Sequence, residues 1–228
     1  MARSELVRAR QISIPVDGWS VPGELCIPEQ AKGVVLFVHG TGSSHLSPRN
    51  QAVALTLQRH GFATVLFDLV LANEPDQRIH GFDIEHLTQR VVRAMDWVDR
   101  QPALSSLPLA LYGASSGAAI AVEAAVKRCT RVMAVVSRGG RIDLAFEALA
   151  SLRCPLLLLV GELDVDVLEL NAWAESYLRT RHELRVIPGA SHLFAEPGTL
   201  EDAAEQTATW LDRELGQLAS VSIHTEDS

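Results

Sequence analysis

The chain has 228 residues, of which 28 are acidic and 20 are basic, giving a formal net charge of −8 at pH 7. Hydrophobic residues make up 47% of the sequence, which is enough to build the core of one domain of this length. The acidic balance argues against non-specific nucleic-acid binding and against docking on an anionic membrane, because both need clustered Lys and Arg. We therefore expect neither nucleic acid nor membrane among its partners.

The apolar runs are short and the cysteines are scattered. The longest runs, residues 34–38 and 155–160, are far shorter than the roughly 20 residues of a membrane-spanning helix. The first ten residues contain three arginines and no apolar segment, so no secretory signal is predicted. Cys26, Cys129 and Cys154 have neither metal-ligand nor redox spacing. These features predict a soluble cytoplasmic protein with a single domain over residues 1–228, either a monomer or a homodimer.

An antiparallel hairpin is predicted first, and strands and helices alternate after it. Two strand-like segments, 11–15 and 21–27, flank Asp17 and Gly18, a pair that tolerates the positive φ angles of a tight turn. The strands predicted after the hairpin are 33–38, 62–69, 107–111, 132–136, 155–160 and 183–187. The predicted helices are 48–60, 84–100, 116–127, 167–178 and 200–218. Residues 219–228 are polar and are expected to form a flexible tail.

The predicted strands indicate the fold class. They are continuous apolar runs rather than alternating ones, which is typical of strands buried on both faces of a parallel sheet covered by helices. We predict an α/β fold with a mostly parallel, doubly wound sheet and an N-terminal antiparallel hairpin. Only residues 138–152 separate the strand at 132–136 from the next one, which is too short for a cap domain. The active site is therefore expected to be open and shallow.

Three strand ends carry a serine, an acid and a histidine. Ligands of open parallel sheets bind beyond the carboxyl ends of the strands. Ser115 lies in a Gly-Ala-Ser-Ser-Gly sequence at residues 113–117, between an apolar strand and a small-residue helix, which is the context of a nucleophile elbow. Asp164 and His192 follow later strands, in the order that a serine nucleophile, its orienting acid and its base take in such folds. The pentapeptide alone could be a simple small-residue turn, but the joint order favours catalysis.

With these motifs the chain resembles the small, lidless, dienelactone-hydrolase-like group of α/β-hydrolases. The motifs that carry the resemblance are His39–Gly42, Gly113–Gly117, Gly161–Asp164 and Gly189–His192. The resemblance implies an α/β-hydrolase fold without a cap domain or cofactor, in which Ser115 is the nucleophile, Asp164 the acid and His192 the general base. Dienelactone hydrolases carry Cys at the nucleophile position, so Ser115 favours ordinary ester chemistry over dienelactone itself.

Alternatives remain open for the acid and for the base. Asp166 is the rival acid, two residues beyond Asp164, and Asp164 is preferred because it directly ends the strand-loop motif. Glu162 is too close to the strand to serve. His192 could instead be a loop histidine that satisfies a backbone carbonyl.

Two backbone N–H groups are predicted to stabilise an oxyanion. They belong to Ser116, the residue after the nucleophile, and to Thr41, in the loop after the first central strand. The Ser116 side chain is expected to face the helix rather than the cleft. Gly40 and Gly42 allow the loop to turn its amide inward, although a plain glycine-rich connection is the alternative. A phosphate-binding loop is disfavoured because no Lys follows these glycines.

Metal and anion binding can also be assessed from the sequence. His39 and His45 have no third ligand at a plausible spacing, so no metal is expected and His39 is predicted to brace its loop through hydrogen bonds. Arg138 and Arg141 flank two glycines at a strand end and are candidates for binding the substrate, since Arg binds carboxylate or phosphate bidentately. The alternative is a salt bridge with a loop acid such as Asp143 or Glu74.

The sequence thus predicts a serine hydrolase without cofactor, which cleaves a small carboxylic ester, lactone or thioester through an acyl-enzyme. The alternatives are a non-catalytic scaffold kept as a binding or regulatory module, and a small acyl-peptide hydrolase. Relatives with stretches similar to residues 47–50 and 137–141 sometimes stand beside, or are fused to, phosphoribosyltransferase domains. The expected partner is a small ester-type molecule.

Overall fold

The computed structural model describes residues 9–70 and 83–226, and Glu74 lies outside them. The strands are β1 (Arg10–Val16), β2 (Trp19–Cys26), β3 (Gly33–Val38), β4 (Phe62–Phe67), β5 (Leu109–Ala114), β6 (Val132–Arg138), β7 (Leu156–Gly161) and β8 (His182–Ile187). The α-helices are α1 (Pro48–Arg59), α2 (Ile84–Asp99), α3 (Gly117–Lys127), α4 (Phe146–Leu149), α5 (Val165–Glu175) and α6 (Thr199–Glu226).

These strands form one sheet in the order β1-β2-β4-β3-β5-β6-β7-β8. The strands from β3 onward run parallel to their neighbours, whereas β2 pairs antiparallel with both β1 and β4. The predicted mostly parallel, doubly wound sheet with an N-terminal antiparallel hairpin is confirmed. The strand order reverses between β3 and β5, and a crevice opens at such a switch point. The loops that follow these two strands therefore meet.

The core lies on both faces of the sheet. Every residue of β3, β4, β5, β6 and β7 is buried, as the continuous apolar runs predicted. One hydrophobic cluster packs α2 and α3 against the sheet and includes Met95 and Ile120, which are fully buried. The other packs α1 and α6 against the opposite face, around Leu57 and Leu211. Two covered faces make the strand ends, rather than the faces of the sheet, the accessible places for a ligand.

The helix boundaries near the site follow from local chemistry. The Ser47 hydroxyl caps α1 by accepting from the Asn50 N–H at 3.4 Å, and Pro48 occupies the first helical position, where no N–H is needed. The C-terminal helix is longer than predicted, since α6 continues beyond Leu218 to Glu226. No glycine or proline interrupts residues 217–226, so the helix has no stop signal there, and the expected tail is helical up to Glu226.

The segment between β6 and β7 is short. It forms a 3₁₀ turn, Ile142–Ala145, and the single-turn helix α4, and both pack beside α3. Within residues 9–70 and 83–226 the structure has no separate cap domain, as expected. Among the described helices, none is both long enough and apolar enough for a membrane crossing.

Candidate active site

Ser115 occupies a tight turn between β5 and α3. Its φ angle is +52°, in the left-handed region that residues with a side chain rarely adopt. The chain can turn this sharply because of two glycines. A Cβ on Gly113 would lie 2.4 Å from the Ala118 Cα, and one on Gly117 would lie 2.2 Å from the Val38 carbonyl oxygen. The strained turn presents the Ser115 hydroxyl above the end of the sheet, as a nucleophile elbow does.

The structure brings Ser115, His192 and Asp164 together from three separate strand ends. The His192 Nε2 lies 3.3 Å from the Ser115 Oγ, and the His192 Nδ1 lies 2.6 Å from the Asp164 Oδ2. A carboxylate only accepts hydrogen bonds, so it fixes the imidazole tautomer that is protonated on Nδ1. The unprotonated Nε2 then faces the serine hydroxyl, in the arrangement that general-base catalysis requires.

The two candidate acids are in different positions. Asp164 ends the loop after β7, with its side chain 12% exposed and bonded to His192. Asp166 lies within the first turn of α5, where its side chain is exposed and makes no hydrogen bond to His192. The structure therefore brings Asp164, and not Asp166, to the histidine.

Two glutamates hold the loop that carries His192. The Glu162 carboxylate accepts from the Gly189 N–H at 2.7 Å, and the Glu196 carboxylate accepts from the Ser191 N–H at 2.9 Å. The hydrogen bonds from Ser191 lower the pKa of Glu196 below its usual range. Sequence reasoning considered Glu162 only as a possible acid, and it missed Glu196 because no motif marks that position. Both residues fix the backbone just before His192 and so position its imidazole.

The predicted oxyanion donors differ in their hydrogen bonds. Within the described residues the Ser116 N–H has no acceptor, as an oxyanion donor requires. The Thr41 N–H is instead donated to the Ser116 Oγ at 3.0 Å, and the Thr41 Oγ1 lies 3.3 Å from the same oxygen. The expectation that the Ser116 side chain faces the helix is wrong. Gly40 allows this contact, because a Cβ there would lie 3.1 Å from the Ser116 Oγ.

His39 and His45 both have partners within the protein. The His39 Nε2 accepts from the Leu69 N–H at 2.9 Å, and its Nδ1 lies 2.9 Å from the Gly40 carbonyl oxygen. Burial lowers the pKa of His39, which keeps this bridging imidazole neutral. The His45 Nδ1 lies 2.8 Å from an Asp68 carboxylate oxygen. His39 thus braces the loop as predicted, and across the described ranges no three His, Cys, Asp or Glu side chains are grouped to hold a metal.

The two candidate substrate-binding arginines are separated. Arg141 makes a bidentate pair with Asp143, at 2.9 and 2.8 Å, and is not among the residues that line the pocket above Ser115. The salt-bridge alternative therefore describes Arg141, because its guanidinium is already bound to a carboxylate two residues away. Arg138 lines the pocket and is buried. Its carbonyl oxygen accepts from the Ser115 N–H at 3.1 Å, so it is directly beside the serine.

The pocket above Ser115 has a volume of about 130 Å³. It is lined by Gly40, Thr41, Ser43, Ser47, Arg49, Asn50, Ala114, Ser115, Arg138, His192 and Leu193. The α1 residues in this set, Arg49 and Asn50, were not predicted to have a role. Their position in the sequence could have indicated this role, because they lie at the start of a helix that follows a central strand. Such helices begin at the carboxyl ends of the strands, where ligands bind.

Comparison with known proteins agrees with this geometry. A family model described as an alpha/beta hydrolase domain matches residues 31–217. The crystal structure of a dienelactone hydrolase from Anabaena variabilis ATCC 29413 is 43% identical in sequence. That match covers 90% of this chain and 97% of the other, with a TM-score of 0.86. A cold-adapted esterase from an Arctic intertidal metagenomic library is 20% identical over 92% of this chain and 95% of its own, with a TM-score of 0.75, which supports the fold alone.

A protein of Mycobacterium tuberculosis, provisionally named a phosphoribosyl transferase, is 45% identical over 204 residues. The match covers 90% of this chain but only 46% of the relative. The chain therefore spans about half the length of the curated relatives it matches. Together, the family model and the 43% identical dienelactone hydrolase support a hydrolase.

Proposed function

We propose, on the premise that the chain belongs to the alpha/beta hydrolase domain family, that it is a serine hydrolase of carboxylesterase type. The observation that carries the proposal is the continuous contact from Asp164 through His192 to the Ser115 hydroxyl. A fold of this kind can hold many functions, so the proposal depends on the site and not on the family alone. The name of the M. tuberculosis relative is not transferred, because the match covers less than half of that protein.

In the first half of the reaction, the Ser115 Oγ attacks the acyl carbon of the substrate. The His192 Nε2 accepts the proton from the hydroxyl, and the negative Asp164 stabilises the resulting imidazolium. The electron pair of the carbonyl π bond moves onto the carbonyl oxygen and forms a tetrahedral intermediate. When this intermediate collapses, the bond to the leaving group breaks and His192 returns the proton to the departing alcohol or thiol.

In the second half, a water molecule releases the acyl group. His192 takes a proton from the water, whose oxygen attacks the Ser115 ester, and the proton then passes to the Ser115 Oγ as the acid product leaves. The side chain of His192 is 38% exposed, so solvent can reach the imidazole without movement of a cap. The cycle returns the protein to its starting state and uses no cofactor.

The negative oxygen of the intermediate requires two donors. The Ser116 N–H is available and lies at the start of α3, where the dipole of this buried helix favours negative charge. The Thr41 N–H becomes the second donor when the Ser116 hydroxyl turns away from it. Each such donor contributes about 2.7–4 kcal/mol to stabilisation of the transition state.

The pocket favours a small acyl group. Its volume of about 130 Å³ is below the roughly 300–1,000 Å³ of sites that enclose a drug-sized ligand. The leaving group can extend into solvent, because the structure shows no cap domain over the described part of the chain. Small carboxylic esters, lactones or thioesters with an exposed leaving group are therefore the proposed substrates.

Labelling with a fluorophosphonate probe tests this function. The probe phosphonylates an activated serine with loss of fluoride, so we expect one label on the unmodified protein and none on Ser115→Ala. Ser13→Ala is a suitable control because Ser13 is in β1, far from the site, and its hydroxyl bonds to the Ser20 hydroxyl. If the folded, unmodified protein takes no label, the site is that of a non-catalytic scaffold.

A further inference from the structure

One wall of the pocket above Ser115 carries a buried charge that has no counter-charge within residues 9–70 and 83–226. Arg138 is only 5% exposed, and its Nη2 donates to the Asn50 side-chain oxygen at 3.2 Å. Within the described residues, the Arg138 Nε has neither a hydrogen-bond partner nor contact with solvent. The guanidinium carbon lies 5.4 Å from the centre of the Phe194 ring. These neighbours are an amide and an aromatic ring, and neither is an anion.

Tyr112, another neighbour of Arg138, is also neutral. Burial raises the pKa of Tyr112 above its ordinary value, although the charge of Arg138 acts in the opposite direction. The phenol is therefore protonated at neutral pH. No carboxylate forms an ion pair with Arg138 in the described ranges. By contrast, Arg131 and Arg141 are paired with Asp99 and Asp143, respectively. Burying a charge is costly unless it is paired, so an unpaired guanidinium inside a pocket indicates that the missing partner is a ligand.

Two further features make the same wall positive. Arg49 lines the pocket and makes no ion pair within the described residues. It lies in the first turn of α1, a helix of 12 residues whose N-terminus faces the pocket through Ser47, Arg49 and Asn50. A helix N-terminus favours negative charge, which adds to the charges of the two arginines. We call Arg49, Arg138 and the first turn of α1 the basic wall.

We propose that the basic wall binds an anionic group of the acyl substrate, a carboxylate or a phosphonate or phosphate, while Ser115 attacks the acyl carbon. This inference rests on the proposed hydrolase function and defines its substrate class. The Arg138 carbonyl oxygen accepts from the Ser115 N–H, so the backbones of the two residues are directly adjacent. Both side chains therefore line the same pocket. In a pocket of about 130 Å³, the anion must be only a few bonds from the scissile carbonyl. The expected substrates are short acyl esters with a negative group near the end of the acyl chain.

A comparison of three activated esters tests the proposal. The esters are 4-nitrophenyl hydrogen succinate, 4-nitrophenyl phosphonoacetate and the neutral methyl 4-nitrophenyl succinate. We expect kcat/KM for at least one anionic ester to exceed that for the neutral ester by about 10- to 100-fold, the range of a charge-assisted hydrogen bond. A preference for the succinate or for the phosphonoacetate identifies which anion is bound. Equal kcat/KM values for all three esters would overturn the inference and leave the hydrolase function intact.

Substitution of single arginines tests whether the basic wall causes the preference for anionic esters. Arg138→Gln should bring the ratio of anionic to neutral kcat/KM close to one, and the exposed Arg49→Gln should lower it without risk to the core. Arg59→Gln is the matched control, because it removes the same charge from the opposite end of α1, where Arg59 bonds to Thr56. If Arg59→Gln lowers the ratio as much as the other two, long-range charge and not the basic wall is responsible.

A binding measurement separates failure of this inference from failure of the proposed function. Folded Ser115→Ala protein is titrated calorimetrically with succinate and with inorganic phosphate, in parallel with the Ser115→Ala/Arg138→Gln double variant. Saturable binding that the second substitution abolishes supports the basic wall, even in a preparation that hydrolyses no ester. Absence of binding together with absence of an anion preference overturns it, whatever the result of fluorophosphonate labelling.

Discussion

A cavity lies at each of the two ends of the parallel strands, and the larger of the two lies away from Ser115. We call the end where the strands begin the amino edge and the end where they finish the carboxyl edge. The cavity at the amino edge measures about 530 Å³ and is lined by Leu218 of α6 and by residues that precede β5 and β7 or that precede and begin β6. The pocket at the carboxyl edge measures about 130 Å³. Volume alone would select the amino edge, whereas the side chains able to react are concentrated at the carboxyl edge.

The polar side chains at the amino edge either pair with other protein groups or are unreactive at neutral pH. Arg131 is paired with Asp99 and also donates to the Leu107 carbonyl oxygen. Burial raises the pKa of Cys154 to about 12, so its thiol stays protonated. The carboxyl edge instead has Ser115 in a strained backbone conformation and Arg138, which has no carboxylate partner among the described residues. Because strain and unpaired charge must be stabilised elsewhere in the fold, their presence at the carboxyl edge supports the proposal that the functional site lies there.

Exchange of the orienting acid at the carboxyl edge should give the largest effect on activity. We expect Asp164→Asn to lower kcat by about 10⁴-fold, because an amide can hold the imidazole in the wrong tautomer. The matched Asp166→Asn variant, two residues away and exposed, should stay within about twofold of the unmodified protein. Steady-state hydrolysis of 4-nitrophenyl acetate by both variants, with circular dichroism to verify folding, measures the contrast. Equal losses would remove Asp164 from its proposed role.

The sheet could be predicted from the sequence because its strands are continuous apolar runs. The three candidate catalytic residues at strand ends could be predicted because they occur along the chain in the order serine, acid, histidine. Ser115, Asp164 and His192 are far apart in the chain, but the parallel topology brings their loops to one edge. The resemblance inferred from the motifs was confirmed by the family model over residues 31–217.

Features that depend on side-chain direction could not be predicted. No spacing rule states that the Ser116 hydroxyl reaches the Thr41 amide, since that contact depends on the space that Gly40 leaves open. Arg138 and Arg141 appeared equivalent in sequence, yet the structure pairs Arg141 with Asp143 and buries Arg138 in the pocket. The end of α6 was missed because the polar composition of residues 219–226 was interpreted as a tail, although no residue there stops a helix.

An intermediate effect is expected at Ser116. Its hydroxyl now competes with the substrate oxyanion for the Thr41 N–H. A neutral hydrogen bond contributes about 0.5–1.5 kcal/mol net, so Ser116→Ala should raise kcat about two- to tenfold by releasing this donor. Ser44→Ala is the control, because the Ser44 Oγ accepts from the Leu46 N–H in the same loop, whereas the Thr41 N–H is donated to Ser116. A tenfold fall in kcat for Ser116→Ala would instead show that the hydroxyl holds the loop in its active position.

The smallest effect is expected from the thiols of the amino edge. At pH 8, a thiol with a pKa of about 12 is ionised in only about one molecule in 10⁴, and the thiolate is the reactive form. Iodoacetamide should therefore modify the exposed Cys129 and leave Cys154 intact, as measured by peptide mass spectrometry. Ester hydrolysis should remain within about twofold after modification, as it should in Cys129→Ser, because the reacting groups are at the other edge. Loss of most of the activity on alkylation of Cys129 would mean that the larger cavity takes part in the reaction, and the distinction between the two edges would then fail.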